Sequence, residues 1–241
     1  MKIDVITLFP EMYTPFIESS IIGRAVKENK VEINIHNLRD YTKEKHGHVD
    51  DTPFGGGCGM VLMCQPVFDC IKALRKENSK VIMMTPQGKS YNQNVALELK
   101  ELEHIIILCG HYEGFDERIR SLVDMEISIG DYVLTGGELA SMVIMDSVIR
   151  LIDGVIEKDS HEYDSFSNWM LEHPQYTKPR VYEGMEVPSV LCNGNHKEIE
   201  KYKLKESLRR TYIRRPDLLM HHEFSKEEKE LLNEIIEEEK C

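Results

Sequence analysis

The sequence predicts an α/β fold with a mostly parallel sheet, and three observations carry that expectation. Residues 80–84 (KVIMM) and 104–109 (HIIILC) are nearly continuous apolar runs, each followed by a loop with Pro or Gly. Runs of that kind belong to strands covered on both faces. Residues 31–35 (VEINI) alternate apolar with polar, the period of a half-buried strand. Stretches of helical spacing separate these runs, and strands alternating with helices place a chain in the α/β class.

Taken in order, residues 2–8 (KIDVITL) form a first β-rich run closed by Phe9 and Pro10, and residues 31–35 a second. Helical spacing over 66–76 precedes the run at 80–84, and helical spacing over 92–102 leads to the run at 104–109. A long apolar-rich helix is expected over 137–152. The last third changes character. Residues 159–178 hold few aliphatic side chains, carry Ser160, Ser165, Ser167 and Pro174, and are followed by Pro179, which reads as a linker or mobile loop. Residues 178–215 hold ten Lys or Arg against five Glu, whereas residues 223–241 hold eight Glu against three Lys. The acidic tail reads as a solvated helix face. In the basic stretch Tyr202 and Tyr212 are interleaved with Arg209, Arg210, Arg214 and Arg215, a mixture suited to phosphate contact with base stacking. The expected division is therefore a ligand-binding domain over 1–158, a linker over 159–177 and a smaller, mainly helical C-terminal domain over 178–241.

Composition narrows the function classes. The 241 residues include 30 Lys and Arg against 42 Asp and Glu, so 30 − 42 = −12 with His neutral. That balance argues against non-specific coating of DNA, because long-range attraction would be weak. No run approaches the ~18 apolar residues of a membrane span, and the first residues do not resemble a signal peptide, so a soluble, cytoplasmic protein is expected. The six cysteines include no C-x-x-C pair, and His46 with His48 and His221 with His222 lack further ligands at useful spacing. No metal site is expected from them.

Three glycine-bearing loops draw attention, at 85–90 (TPQGKS), 109–118 (CGHYEGFDER) and 128–138 (SIGDYVLTGGE). The Gly88-Lys89-Ser90 end of the first mimics a phosphate-binding P-loop, but that motif needs glycine where Met83 stands. No G-x-G-x-x-G follows a strand, which removes the usual dinucleotide fingerprint. Three such loops at one edge of a parallel sheet favour a ligand pocket, since open α/β sheets bind ligands at their carboxyl ends. A side chain at Gly137 is expected to fill space the ligand needs.

Residues 9–12 (FPEM), 49–57 (VDDTPFGGG), 86–88 (PQG), 112–114 (YEG), 116–118 (DER), 128–134 (SIGDYVL) and 136–139 (GGEL) closely resemble the bacterial tRNA (guanine-N1)-methyltransferases that act at position 37. So do 184–188 (GMEVP), 194–196 (GNH) and the stretch 208–216, and the matches run in order along nearly the whole chain. The resemblance implies membership of the SPOUT superfamily, whose catalytic domain ties a deep trefoil knot, a topology that general rules would not anticipate. It implies that the three loops hold S-adenosylmethionine through Met84, Thr85, Pro86, Gly110, Tyr112, Glu113, Ser128, Ile129, Gly130, Asp131, Tyr132, Val133, Leu134, Gly136 and Gly137. It further implies a homodimer with active sites shared between subunits, tRNA contacts from Asp50, Asn193, His196, Arg209 and Arg215, and use of a magnesium ion.

Guanine N1 carries a proton and is a poor nucleophile at neutral pH, whereas the sulfonium methyl is already activated. An enzyme must therefore remove the N1 proton and stabilise charge developing at O6. Asp164 matches the family's proposed general base, although an Asp before Ser is more often a helix cap. Arg150 matches the arginine that steadies the O6 charge, and its ordinary reading is a cation at a helix C-terminus. Glu113 is a second carboxylate expected near the methyl donor. Two other readings stand beside this one. An RNA-binding module without catalysis would keep the basic C-terminal region and need neither Asp164 nor the glycine loops. A SPOUT enzyme for another base or for ribose would keep the pocket without the paired Asp and Arg.

Overall fold

The computed structural model describes residues 1–157, 164–220 and 222–240, which form two compact units, 1–157 and 158–241. In the first unit, strands β1 (Lys2–Thr7), β2 (Glu32–Asn37), β5 (Ser79–Ser90), β6 (His104–Cys109) and β7 (Met125–Ser128) form one sheet in the order β2-β1-β6-β5-β7. Every pairing in it is parallel, as the sequence predicts. Two short strands, β3 (Asp50–Asp51) and β4 (Val61–Leu62), make a separate antiparallel pair.

Side-chain alternation explains the unbroken apolar runs. Ile105, Ile107 and Cys109 of β6 enter a core shared with α2 (Ser20–Lys27), α4 (Gln93–Lys100) and α5 (Glu138–Ile149). Ile106 and Leu108 face the opposite side and pack with Val67, Cys70 and Ile71 of α3 (Cys64–Leu74). A central strand buried on both faces must be apolar at every position, whereas β2 at the sheet edge is half-buried and alternates. The helices expected over 66–76, 92–102 and 137–152 are α3, α4 and α5. Asn92 caps α4 by accepting from Val95 N, and Gly137 stands at the N-cap of α5. A further short helix, α1 (Thr14–Glu18), precedes α2.

Two readings change. Residues 85–90 are not a loop after a finished strand, because β5 continues to Ser90. Met84 and Lys89 both align with Ile127 of β7, so Thr85, Pro86, Gln87 and Gly88 bulge out between them. A side chain at Gly88 would meet the carbonyl oxygen of Glu126 at 2.7 Å, which is why this close approach requires glycine. The second change concerns the expected linker. Its part around residues 169–171 packs into the second unit, where Met170 joins Leu208, Leu231 and Ile235 in the core. Leu171 N donates to Thr211 Oγ1 at 2.9 Å, and Trp169 stacks on His222 at 3.5 Å. A count of aliphatic residues undervalued one Trp and one Met that supply the packing. Residues 158–163 lie outside the described residues.

The rest of the second unit comprises a hairpin of β8 (Val181–Tyr182) and β9 (Met185–Glu186), helix α6 (His196–Arg214) and helix α7 (Lys226–Glu238). The basic stretch is thus largely α6 and the acidic tail largely α7. The acidic helix is not merely solvated, because its carboxylates pair with the basic one. Lys205 of α6 reaches Glu234 and Glu238, each at 2.8 Å, and Arg209 pairs with Glu206, Glu238 and Glu239. Among the described residues no helix is long and apolar enough to cross a membrane.

Candidate active site

Parallel strands place all their carboxyl ends on one edge, so the β5 bulge and the segments after β6 and β7 converge there. They enclose a cleft of about 340 Å³ in the first unit, within the ~300–1,000 Å³ common for small-ligand sites. Met84, Thr85 and Pro86 line it from the bulge, and Gly110, Tyr112 and Glu113 from the second loop. Ser128, Ile129, Gly130, Tyr132, Val133, Leu134, Gly136 and Gly137 line it from the third. Of the residues that the resemblance assigns to the cofactor, Asp131 differs: it is exposed and does not line the cleft.

Each loop is held by identifiable contacts. The second is strapped to the region of β4, since Glu113 N donates to Met60 O at 3.0 Å and Leu62 N to Gly114 O at 2.9 Å. Tyr112 at its apex has φ +61°, a left-handed conformation uncommon for a side chain of this size. In the third loop Gly137 N donates to Gly110 O at 2.9 Å. A Cβ on Gly137 would lie 2.8 Å from Cys109 Cα and 2.9 Å from Gly110 N. The backbone of the neighbouring loop therefore supplies a second reason for glycine here, beside the expectation that it leaves room for the ligand.

Several lining residues escaped the sequence reading. Arg120, in a 3-10 segment after the second loop, donates to Gln87 of the bulge at 2.8 Å and pairs with Glu117 and with Glu126 of β7. His111 lies between the matched motifs, and its Nε2 meets Glu138 Oε2 at 2.7 Å. A signal for both was present, because each lies within two residues of a matched motif, but pairing across loops has no fixed spacing in sequence. The cleft offers carboxylates at Glu113 and Glu117, a cation at Arg120, and apolar surface at Ile129, Leu134 and Ala140. Such a lining suits an amphipathic ligand carrying charge of both signs.

Arg150 is the C-cap of α5 and half-buried in the first unit. Asp164 is half-buried in the second, and its carbonyl accepts from Ser167 N at 3.1 Å to close a turn. Residues 164–170 form turns and bends rather than a helix, so Asp164 does not stand at a helix start there.

Three of the five expected tRNA contacts, Asn193, Arg209 and Arg215, have partners within the second unit. Asp50 lies in β3, and His196 is the exposed first residue of α6. Asn193 Nδ2 donates to Glu198 Oε2 at 2.8 Å and its Oδ1 accepts from Asn195 N, which steadies the start of α6. Arg215 grips Asp217 through two hydrogen bonds of 2.8 and 2.6 Å and lies over the Phe166 ring. Arg209 holds the three carboxylates already named, and its pairing helps pull Glu238 down to about 2. Arg214 at the end of the same helix is exposed. Among the described residues no group of three or more His, Cys, Asp or Glu is placed to hold a metal ion, so no magnesium site is derived.

Comparison with known proteins agrees with this architecture. A family model described as tRNA (Guanine-1)-methyltransferase TrmD matches residues 1–221, so that α7 lies beyond the matched region. Curated relatives from Bacillus cereus, Bacillus anthracis and Bacillus thuringiensis are each named tRNA (guanine-N(1)-)-methyltransferase. Each is 57% identical over 242 aligned positions, covering 98% of this chain and 99% of the relative. The chain belongs to the tRNA (guanine-1)-methyltransferase family.

Proposed function

We propose that this chain transfers a methyl group from S-adenosylmethionine to N1 of the guanine at position 37 of tRNA. The observation that carries the reading is the convergence of all three glycine-bearing segments on one cleft at the carboxyl edge of the sheet, in a chain of this family. The residues present fit the cofactor. Apolar surface at Ile129, Leu134 and Ala140 accepts an adenine ring, and Arg120 with Glu113 and Glu117 supplies charges for an amino-acid moiety. Bound there, S-adenosylmethionine supplies a methyl group already activated by the positive sulfur.

The protein must then supply a base and a partner for O6. Asp164 takes the N1 proton, which lets the ring nitrogen act as nucleophile. Arg150 stabilises the negative charge that grows on O6 as the proton leaves. Support for Asp164 is its match to the family's proposed general base, at a position inside the region that the family model covers. Support for Arg150 is its match to the family's arginine, at a position inside the region that the family model covers. Glu113, which lines the cleft, is the second candidate base.

The homodimer belongs to the same proposal. Tyr132, Val133 and Leu134 are exposed beside the cleft, with Val133 85% accessible, and the apolar strip continues onto Leu139 and Val143 of α5. Exposed apolar surface of that kind suits a second copy of the chain. By the resemblance, the three glycine-bearing segments also form the knot. The test is incubation with labelled S-adenosylmethionine and tRNA, followed by nucleoside analysis. N1-methylguanosine, lost when guanine 37 is replaced by adenine, is the expected product. A different methylated nucleoside would move the chain's substrate elsewhere, and no transfer would leave an RNA-binding module.

A further inference from the structure

The geometry points to Glu138 as a positioning residue that acts through His111 to hold the second and third loops in the shape that binds the cofactor. The inference rests on the cofactor reading of the cleft and adds a residue outside the set assigned to it. Glu138 opens α5 and is 1% exposed. A carboxylate buried that far is costly unless its oxygens are paired. Both are. Oε1 accepts from Thr7 Oγ1 at 2.7 Å, and Oε2 meets His111 Nε2 at 2.7 Å. Thr7 Oγ1 in turn accepts from Phe9 N at 3.0 Å, which anchors the carboxylate to the end of β1. The start of a helix also favours an anion, because its first N–H groups carry partial positive charge.

His111 is the outer member of this chain of hydrogen bonds and lines the cleft. Its ring is sandwiched laterally, with Phe9 at 4.8 Å and Tyr112 at 6.3 Å between centroids. One imidazole thus connects the rigid strand end and helix start to the loop whose apex, Tyr112, is held at positive φ. A loop in that conformation persists only when its surroundings enforce it. Gly136 fits the same account, since a Cβ there would strike the His111 ring and the Glu138 carboxylate. Glycine at 136 is explained by the pair behind it, as glycine at 137 is explained by the backbone of Cys109 and Gly110.

The experiment measures binding of S-adenosylmethionine and of tRNA by calorimetry, with steady-state methyl transfer beside it, in the full-length wild type and in Glu138→Gln, His111→Ala and the double variant. Glutamine keeps the volume and removes the charge. A hydrogen bond to a charged group contributes roughly 10–100-fold, so each single variant should weaken cofactor binding by about that factor. KM for the cofactor should rise in parallel, while tRNA affinity and kcat at saturating cofactor stay near wild type. The double variant should be no worse than the poorer single one, because the two residues act as a unit. Tyr91→Phe is the control for a merely structural role. Tyr91 is half-buried, does not line the cleft, and its hydroxyl bonds Ser147 Oγ at 2.6 Å, so its loss should lower the melting temperature and leave cofactor affinity unchanged. Wild-type affinity in Glu138→Gln, or additive losses in the double variant, would overturn the inference. A wild type that binds no S-adenosylmethionine would instead overturn the reading of the cleft on which it rests.

Discussion

Gly137→Ala tests how the cleft is built. Gly137 has φ −82°, an ordinary helical value, so alanine brings no backbone strain and its effect is purely spatial. The added Cβ would stand 2.8 Å from Cys109 Cα and 2.9 Å from Gly110 N. Carbon atoms in contact rest about 3.5–4.0 Å apart, so the start of α5 and the end of β6 must separate by roughly 0.7 Å. Gly137 and Cys109 are buried and the two nearest atoms are backbone, which leaves no flexible side chain to yield. Overpacking of this kind costs about 1–3 kcal/mol, equivalent to a fall in melting temperature of roughly 2–12 °C for a chain of this size. The same movement stretches the Gly137 N to Gly110 O hydrogen bond and displaces two residues that line the cleft. Differential scanning calorimetry and titration with S-adenosylmethionine should therefore show stability and cofactor affinity falling together. Unchanged values in both would refute the close-approach argument. Lost affinity at wild-type stability would return Gly137 to the simpler role of leaving space for the ligand.

Other outcomes follow from the same structure. Asp164→Asn should slow single-turnover methyl transfer by about 10²–10⁴-fold while tRNA and cofactor binding persist, and wild-type rates would transfer the role of base to Glu113. Arg209→Ala removes the cation shared by Glu206, Glu238 and Glu239 and should lower the urea midpoint of the second unit, read by fluorescence of Trp169, the protein's one tryptophan. Arg214→Ala, at an exposed position, should instead flatten the salt dependence of tRNA binding by roughly one log unit. Acid should loosen the contact between α6 and α7. Glu238, held at about 2 by Arg209 and Lys205 against an ordinary 4.5, adds stability that is present above 4.5 and lost as pH falls toward 2. Glu238→Gln should remove that part of the acid transition seen by Trp169. Burial raises the Asp4 carboxyl, but hydrogen bonds with His36, Asn34, His104 and Lys2 outweigh it and hold the group well below the usual range, so the first unit loses stability in the same direction.

By itself the sequence determined the α/β class and the central strands, because a strand buried on both faces must be apolar throughout, and β5 and β6 are written that way. It also pointed to one edge of the sheet, since glycines cluster after those strands and parallel strands present their carboxyl ends together. Fourteen of the fifteen residues carried over for the cofactor line one cleft, Asp131 being the other. Strand β7 was not legible, because four residues with two polar ones fall below any periodic signal. The tertiary structure decided what depends on contacts distant in sequence. The bulge over residues 85–88 exists only against Ile127, and the second reason for glycine at 137 arises from Gly110. The packing of Met170 and Trp169 turns an apparent linker into part of a core. Arg209 read as a phosphate ligand until α7 supplied carboxylates from about thirty residues away. Glu138 and His111 are separated by 27 residues and Glu138 and Thr7 by 131, and no local pattern encodes such a pairing. Periodicity reports which face of an element is buried, and only the folded chain determines what it is buried against.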